Sequence, residues 1–531
     1  MLNDSRFKTF DNPDHWPGHG PVRSLENPSF ALIVARTSHV PSIHVYACPM
    51  TPPPKPPRSD RRPDHAAAPA PAETPGAGPP NKDWRRTKPM PAGAPGEVRA
   101  ATRVPLRERA PKPLSVTSAI ATARAVPARV APPTHFAEPT LVVDPEASIT
   151  SRASIRWVFD NMVVSVHGDP ADGGTVALVD PRGKPLGWAV YNSSSRIRAR
   201  MFSLERRVFD DAYVTRAIGS AIARRRAVFL KGESFRAVYS DADGLPGLVA
   251  DLIGGVLVVQ LLTAAIEARA DAALAALREH LAPTAIVVHR DLAVRAKEGL
   301  AVAASPEIDG DFAEALEVKQ DGFSVFADLR GGQKTGLFLD QRFNRRLVAP
   351  FCRDAGVLDL FCYVGAWSFA AAAAGAVRVT GVDSSASALA MARRGAEANG
   401  MADRVSFVES DAFDFVNEAL AGGSGARYDV VVCDPPAFAK TRKQTPDALK
   451  AYLSLNYRAM RLLPVGGVLA TCSCSHFVTP AEFEAMLETS ARNARMTFQV
   501  LHRGGQPPDH PAVLGFPESE YLKCVVLQRV E

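Results

Sequence analysis

Two thiols stand two positions apart in Thr471-Cys-Ser-Cys-Ser-His476, at the end of one apolar run, and a carboxylate opens Asp434-Pro-Pro-Ala-Phe438 at the end of another. A thiolate beside a carboxylate suits one reaction in particular. C5 of a pyrimidine is a poor nucleophile until something adds to C6 and turns the ring into an enamine, and covalent addition by a cysteine splits that hard step into easier ones. The enamine then takes a methyl group, a base removes the C5 proton and the cysteine is expelled. Asp434 would hold the cytosine edge at N3 and N4, favouring protonation of the ring as the thiolate adds. Such a thiol needs a lowered pKa. The ordinary role of a free cysteine is that of a small buried hydrophobe, and in strand geometry Cys472 and Cys474 share one face, so both readings stay open for each. A zinc site would need further ligands, and only His476 is near, so no metal is expected.

The elements that must position these groups form an alternating series. After Gly331 the pattern runs strand, helix, strand, helix, the mark of a doubly wound parallel sheet. Strands are expected at 357–361, 377–382, 405–408, 429–432 and 467–472, with helices at 368–374, 386–399, 412–421 and 449–463. In such folds ligands sit beyond the C-terminal ends of the strands. Four such ends carry suitable groups. Asp359-Leu-Phe-Cys-Tyr-Val-Gly365 has one glycine where backbone can approach a ligand. Asp383 ends the next strand, placed for both hydroxyls of a ribose. Asp411 follows the third, placed to accept from an adenine amino group, and Asp434 follows the fourth. Each acid alone would serve as a helix cap; the four in this order point to S-adenosylmethionine as cofactor. The glycine-dense loop that a dinucleotide pyrophosphate requires is lacking.

The rest of the chain divides by composition. Residues 1–139 form a Pro/Ala/Arg-rich extension read as disordered: the first 140 residues hold 27 of the 44 prolines and 19 Lys and Arg against 11 Asp and Glu. Such a stretch buries too little apolar surface to offset its chain entropy. Met50 and Met90 are candidate starts. The remainder carries 43 basic and 45 acidic residues, so overall charge says little about nucleic-acid binding by the folded part. A small β domain over 140–203 shows short alternating runs at 157–159, 175–179 and 188–191. It ends in Ser195-Arg-Ile-Arg-Ala-Arg200, where alternation turns three arginines to one outer face, a solvated edge or a row for phosphate contact. A central α/β domain over 204–330 follows, with helices at 212–225 and 266–280 and strands at 235–239, 248–252, 256–262, 285–289 and 315–326. Its turn Asp241-Ala-Asp-Gly-Leu-Pro-Gly247 reads as architectural. Residues 331–531 are the catalytic domain. Seven cysteines without paired spacing suit a reducing cytoplasm. No segment approaches the roughly 20 apolar residues needed to span a bilayer.

The chain from about residue 140 onward resembles the RlmI-type class I methyltransferases, which make 5-methylcytosine in large-subunit (23S) ribosomal RNA. The likeness rests on Ser195 to Arg200, Asp243-Gly-Leu-Pro-Gly-Leu248, Gly332-Gln-Lys-Thr-Gly-Leu-Phe-Leu-Asp-Gln-Arg342, Asp359 to Gly365, Asp434 to Phe438 and Ser473-Cys-Ser475. It implies an RNA-binding PUA-like domain, a central α/β domain and a Rossmann-like catalytic domain. It implies Cys474 as the nucleophile, with Asp434 beside it, and S-adenosylmethionine contacts from Gln341, Asp359, Phe361, Gly365, Asp383, Asp411 and Asp434. The expected partner is large-subunit ribosomal RNA, with no membrane. Cys472 is an extra thiol beside the family motif. The second cysteine of two-cysteine enzymes is replaced by Ala437 or Phe438, which leaves the base for the C5 proton unassigned. Phe438 or Trp367 could stack on an extruded base. The rival readings are an amino-group methyltransferase, which needs no cysteine, and an RNA-binding assembly protein with a vestigial methyltransferase fold.

Overall fold

The computed structural model describes residues 137–144, 156–331, 336–422 and 427–531; nearly all of the proline-rich extension, with Met50 and Met90, lies outside the described residues, as do Gly332 to Thr335.

Six strands make the first sheet, in the order Trp157–Phe159, Ile197–Ser203, Pro185–Tyr191, Thr175–Val179, Thr140–Val143, Val163–His167. Its core gathers Leu141, Val158, Val176, Leu178 and Ala199. Along Ile197–Ser203 alternation buries Ala199 and Met201 and turns the arginines away from that core. The three do not share one exposed edge. Arg196 is exposed, but Arg198 Nη1 donates to the carbonyl of Asn192 at 3.2 Å, and Arg200 lies over the Trp157 ring while pairing with Glu298 at 3.0 Å and Asp241 at 3.6 Å. The arginine is spent on holding this sheet to the next domain.

The central domain pairs Glu307–Asp309, Ala285–His289, Val256–Leu261, Leu248–Ile253 and Phe235–Tyr239 in that order. Helices Asp211–Arg226 and Ala270–Leu281 pack Val214, Ile218, Ile222, Ala273 and Leu277 against Leu257 and Val259 of the sheet. Two expectations need correction. The helix expected over 266–280 is broken into Ala264–Glu267 and Ala270–Leu281. The strand expected over 315–326 is a hairpin, Leu316–Gln320 with Phe323–Ala327, because Asp321-Gly322 takes left-handed φ values of 56° and 88°. Asp-Gly is a strong signal for a tight hairpin turn, and it outweighs the continuity of the apolar run.

The turn around Asp243 fastens this domain to the C-terminal part of the chain. Asp243 accepts two bonds of 2.7 Å from Arg225 and a third of 2.7 Å from the backbone of Tyr239. Arg225 also donates to the carbonyl of Asp509 at 3.0 Å, and the Asp509 carboxylate accepts from the backbone of Arg236 at 2.9 Å. Both side chains of the Arg225–Asp243 pair are 1% exposed.

The last sheet runs Val405–Glu409, Arg378–Asp383, Gly356–Leu360, Val430–Cys433, Val468–Ser473, Lys523–Arg529, Phe498–Gly504. The first five strands are parallel, and Lys523–Arg529 is antiparallel to both of its neighbours. Every residue of Gly356–Leu360 and Val430–Cys433 is buried, as expected of parallel strands covered on both faces. The chain leaves Gly356–Leu360 toward one side and returns on the other, so a crevice opens beyond its C-terminal end. Among the described residues no helix is long and apolar enough to cross a membrane.

Removing one partner of a buried ion pair leaves an uncompensated charge and costs about 3–5 kcal/mol. Asp243→Asn is expected to lower stability to urea by that amount. Arg224 touches the same carboxylate but is 56% exposed, and Arg224→Ala should change stability by about 1 kcal/mol or less. Equal effects of the two substitutions would refute the central role of the buried pair.

Candidate active site

The loop 361–365 builds one wall of a cavity at the crevice. Phe361 and Tyr363 take φ of 64° and 51°, and Gly365, at 81°, begins the helix Ala366–Ala373. Left-handed backbone at non-glycine residues costs about 1–3 kcal/mol each, and two bonds hold it in place. Cys362 N donates to the carbonyl of Val382 at 3.0 Å, and Tyr363 N donates to Asp383 Oδ2 at 2.9 Å. A Cβ on Gly365 would come within 3.0 Å of Phe407 and 3.1 Å of Phe369, so both backbone and packing require glycine. Asp383 Oδ1 accepts from Ser385 N at 2.9 Å, which fixes the carboxylate at the cavity edge.

Asp434 is held from two sides. Gln341 Nε2 donates to one carboxylate oxygen at 2.8 Å and Trp367 Nε1 to the other at 3.1 Å. Gln341 is itself oriented: its Oε1 accepts from Asn344 Nδ2 at 2.7 Å, so its amide N–H faces Asp434. Trp367 also lines the cavity, with its indole largely buried and its N–H committed to Asp434. Phe438 packs on Tyr452 with ring centroids 4.6 Å apart.

Cys474 is half-buried and lines the same cavity, with Sγ 3.8 Å from the carbonyl of Pro435. The serines on either side are fully buried and meet one hydroxyl: Tyr452 Oη lies 3.1 Å from Ser473 Oγ and 2.9 Å from Ser475 Oγ. Ser475 Oγ also accepts from Ala439 N at 3.2 Å, which ties the cysteine turn to the Asp434–Phe438 turn. Lys523 Nζ donates to the carbonyl of Ser475 at 2.7 Å and of Tyr521 at 2.8 Å. Burial lowers this ammonium to about 8, while the neighbouring Cys474 works in the opposite sense. Cys472 is different. It is fully buried opposite Cys524, outside the cavity lining, and its hydrogen bond with the free thiol of Cys524 together with burial pushes its own thiol well above the usual range.

The structure thus brings Gln341, Phe361, Asp383, Asp434 and Cys474 to one cavity, with Gly365 in the loop that shapes it. Two residues expected there do not line it. Asp411 is exposed and caps the helix Ala412–Ala421, accepting from Phe413 N at 2.8 Å and Asp414 N at 3.3 Å. Asp359 lies beneath the loop, fully buried, and accepts from Ser368 Oγ at 2.6 Å. Burial, aided by the charges of Asp434 and Asp383, pushes the Asp359 carboxyl up to about 7 against the lowering effect of Ser368.

Asp340, inside the stretch that carries the family likeness, and Arg345, beyond it, also line the cavity, and neither was expected there as a site residue. Arginine is ordinarily an exposed residue type. Instead Arg345 is 2% exposed, and Asp340 accepts from Tyr521 Oη at 2.6 Å.

Comparison with known proteins agrees with this architecture. The family of S-adenosylmethionine-dependent methyltransferases matches residues 236–525 and a PUA-like domain matches residues 141–204. The chain is 35% identical over 372 residues to the ribosomal RNA large subunit methyltransferase I of Klebsiella pneumoniae, covering 69% of this chain and 92% of that protein. It is 35% identical to its counterpart in Aeromonas hydrophila, covering 70% and 94%. A solved structure from Streptococcus mutans superposes with a TM-score of 0.62 at 21% identity, covering 73% of this chain and 99% of that one. That likeness speaks to the fold.

The high carboxyl of Asp359 predicts a pH effect. The native state keeps a proton that the unfolded chain has lost between about pH 4 and 7, so stability falls as pH rises through that window. Asp359→Asn should gain on the wild type by up to about 1.4 kcal/mol per pH unit there. Parallel urea-unfolding stabilities for the two proteins across pH 4 to 7 would refute the buried neutral carboxyl.

Proposed function

This chain belongs to the S-adenosylmethionine-dependent methyltransferases, and we propose that it methylates C5 of a cytosine in large-subunit ribosomal RNA, with Cys474 as covalent nucleophile. The substrate class follows the relatives, named ribosomal RNA large subunit methyltransferase I. The observation that carries the mechanism is the shared cavity of Cys474 and the doubly held Asp434.

The residues present fit S-adenosylmethionine. A fixed carboxylate at Asp383 suits the ribose hydroxyls, Phe361 and Phe338 offer apolar wall, and the buried Arg345 has an Nε with no partner. When bound, this cofactor supplies the methyl group from its sulfonium. The chain does the rest. The Cys474 thiolate forms a bond to C6 of the cytosine as the ring π electrons shift toward N3, which takes up a proton. Asp434 accepts from the cytosine edge and favours that protonation. The ring then carries enamine character at C5, where the methyl is received. Loss of the C5 proton to water restores the double bond and expels the thiolate, and N3 gives back the proton it took up. The Lys523 ammonium beside the cysteine turn favours the thiolate form, in the way a neighbouring cation activates cysteine generally. Cytosine must leave its stack for C6 to be attacked from the ring face, so the target is single-stranded or transiently opened RNA. The protein acts where large-subunit RNA is found, in the cytoplasm.

The test is transfer of labelled methyl groups from S-adenosylmethionine to unmodified large-subunit RNA, followed by nucleoside analysis. Wild type should yield 5-methylcytosine, and Cys474→Ala should lose activity by roughly 10³-fold or more while still binding S-adenosylhomocysteine. A methylated amino group, or an active alanine variant, would overturn the mechanism.

A further inference from the structure

A guanidinium in the wall of the cavity is not explained by the fold. Arg345 is 2% exposed, yet among the described residues no carboxylate forms an ion pair with it. Its Nη2 donates to Gln320 Oε1 at 3.0 Å and its Nη1 makes a long bond of 3.4 Å to the carbonyl of Phe338; Nε has no partner. The acids nearest to it are committed elsewhere. Asp321 binds Arg346 at 2.6 Å, Asp340 accepts from Tyr521, and Asp434 accepts from Gln341 and Trp367. Burial without a paired anion lowers the guanidinium to about 10, in spite of the attraction of these three acids. A buried charge is ordinarily paired, and Arg345 lines the cavity in which Asp383 and Asp434 also stand.

We propose that Arg345 is the anchor for the carboxylate in the methionine portion of S-adenosylmethionine. This rests on the cofactor reading above and deepens it. The cofactor carries one carboxylate, and its adenosine and sulfonium offer no other anion. A planar guanidinium matches a carboxylate with two parallel bonds, and Arg345 stands in the cavity wall with no acid of the described residues paired to it. RNA phosphates are the other anions at hand, but a side chain 2% exposed is out of reach of a nucleic-acid backbone lying over the cavity mouth. The same anchor grips S-adenosylhomocysteine, which retains the carboxylate, so Arg345 positions the donor without distinguishing it from the product.

The experiment compares the affinity of the full chain for S-adenosylmethionine, for its decarboxylated form and for 5′-methylthioadenosine, which lacks the amino-acid portion altogether. Wild type should prefer S-adenosylmethionine over the decarboxylated form by about tenfold to a hundredfold, the worth of a hydrogen bond to a charged group. In Arg345→Met that preference should fall to about one, with binding of 5′-methylthioadenosine unchanged. Arg345→Lys, which keeps the charge without the fork, should fall between. Absence of a preference in wild type overturns the proposal without any variant. So does a preference that survives in Arg345→Met, or an equal loss of all three ligands, which would mark Arg345 as structural. Failure of wild type to bind any of the three would bring down the cofactor reading itself.

Discussion

The hydrogen bonds that Asp434 accepts from Gln341 and Trp367 join three separate parts of the chain at one carboxylate. Gln341 precedes the first strand of the catalytic sheet, Trp367 lies in the first turn of the following helix, and Asp434 ends the fourth strand in chain order. A carboxylate held at both oxygens keeps one orientation at the cavity wall. Preorganisation of this kind is worth more than an additional contact, because no reorientation is needed when the substrate arrives. The hydrogen bond from Asn344 to Gln341 and the buried indole both serve this one placement.

Cys474 is fixed by a second knot. Tyr452, from the long helix Thr445–Arg461, reaches Ser473 and Ser475 with its hydroxyl and leaves Cys474 between them facing the cavity. Strand alternation gives the thiol at 472 and the thiol at 474 the same face, yet their surroundings differ. Cys472 still lies within the sheet, opposite Cys524, whereas Cys474 has just left it. Two residues along the chain separate a thiol buried within the sheet from a half-buried one at the cavity.

Much of this was legible in the sequence because parallel strands are buried on both faces and read as short apolar runs. The ends of those runs name the ligand crevice, and Phe361, Asp383, Asp434 and Cys474 follow from that rule or from the family likeness. Asp411 and Asp359 obey the same rule of position but turn to other work, capping a helix and bonding Ser368, because an acid at a strand end can satisfy local backbone as easily as a ligand. The arginines of the outer strand show the limit of alternation. It gives the face on which a side chain stands, and not that Asp241 and Glu298 of another domain will meet Arg200 there. Arg345 was illegible for a related reason: its charge suggests solvent, and only tertiary packing buries it.

The central claim is that Cys474 bonds to C6 of the target base, and it is tested most directly by incubating the protein and S-adenosylmethionine with large-subunit RNA containing 5-fluorocytidine. Fluorine at C5 cannot be lost as a proton is, so the adduct cannot resolve after methylation. The account predicts a protein–RNA complex that survives denaturation, requires S-adenosylmethionine, and maps by mass spectrometry to the peptide carrying Cys474. Turnover without a trapped complex, or attachment through Cys472, would contradict it.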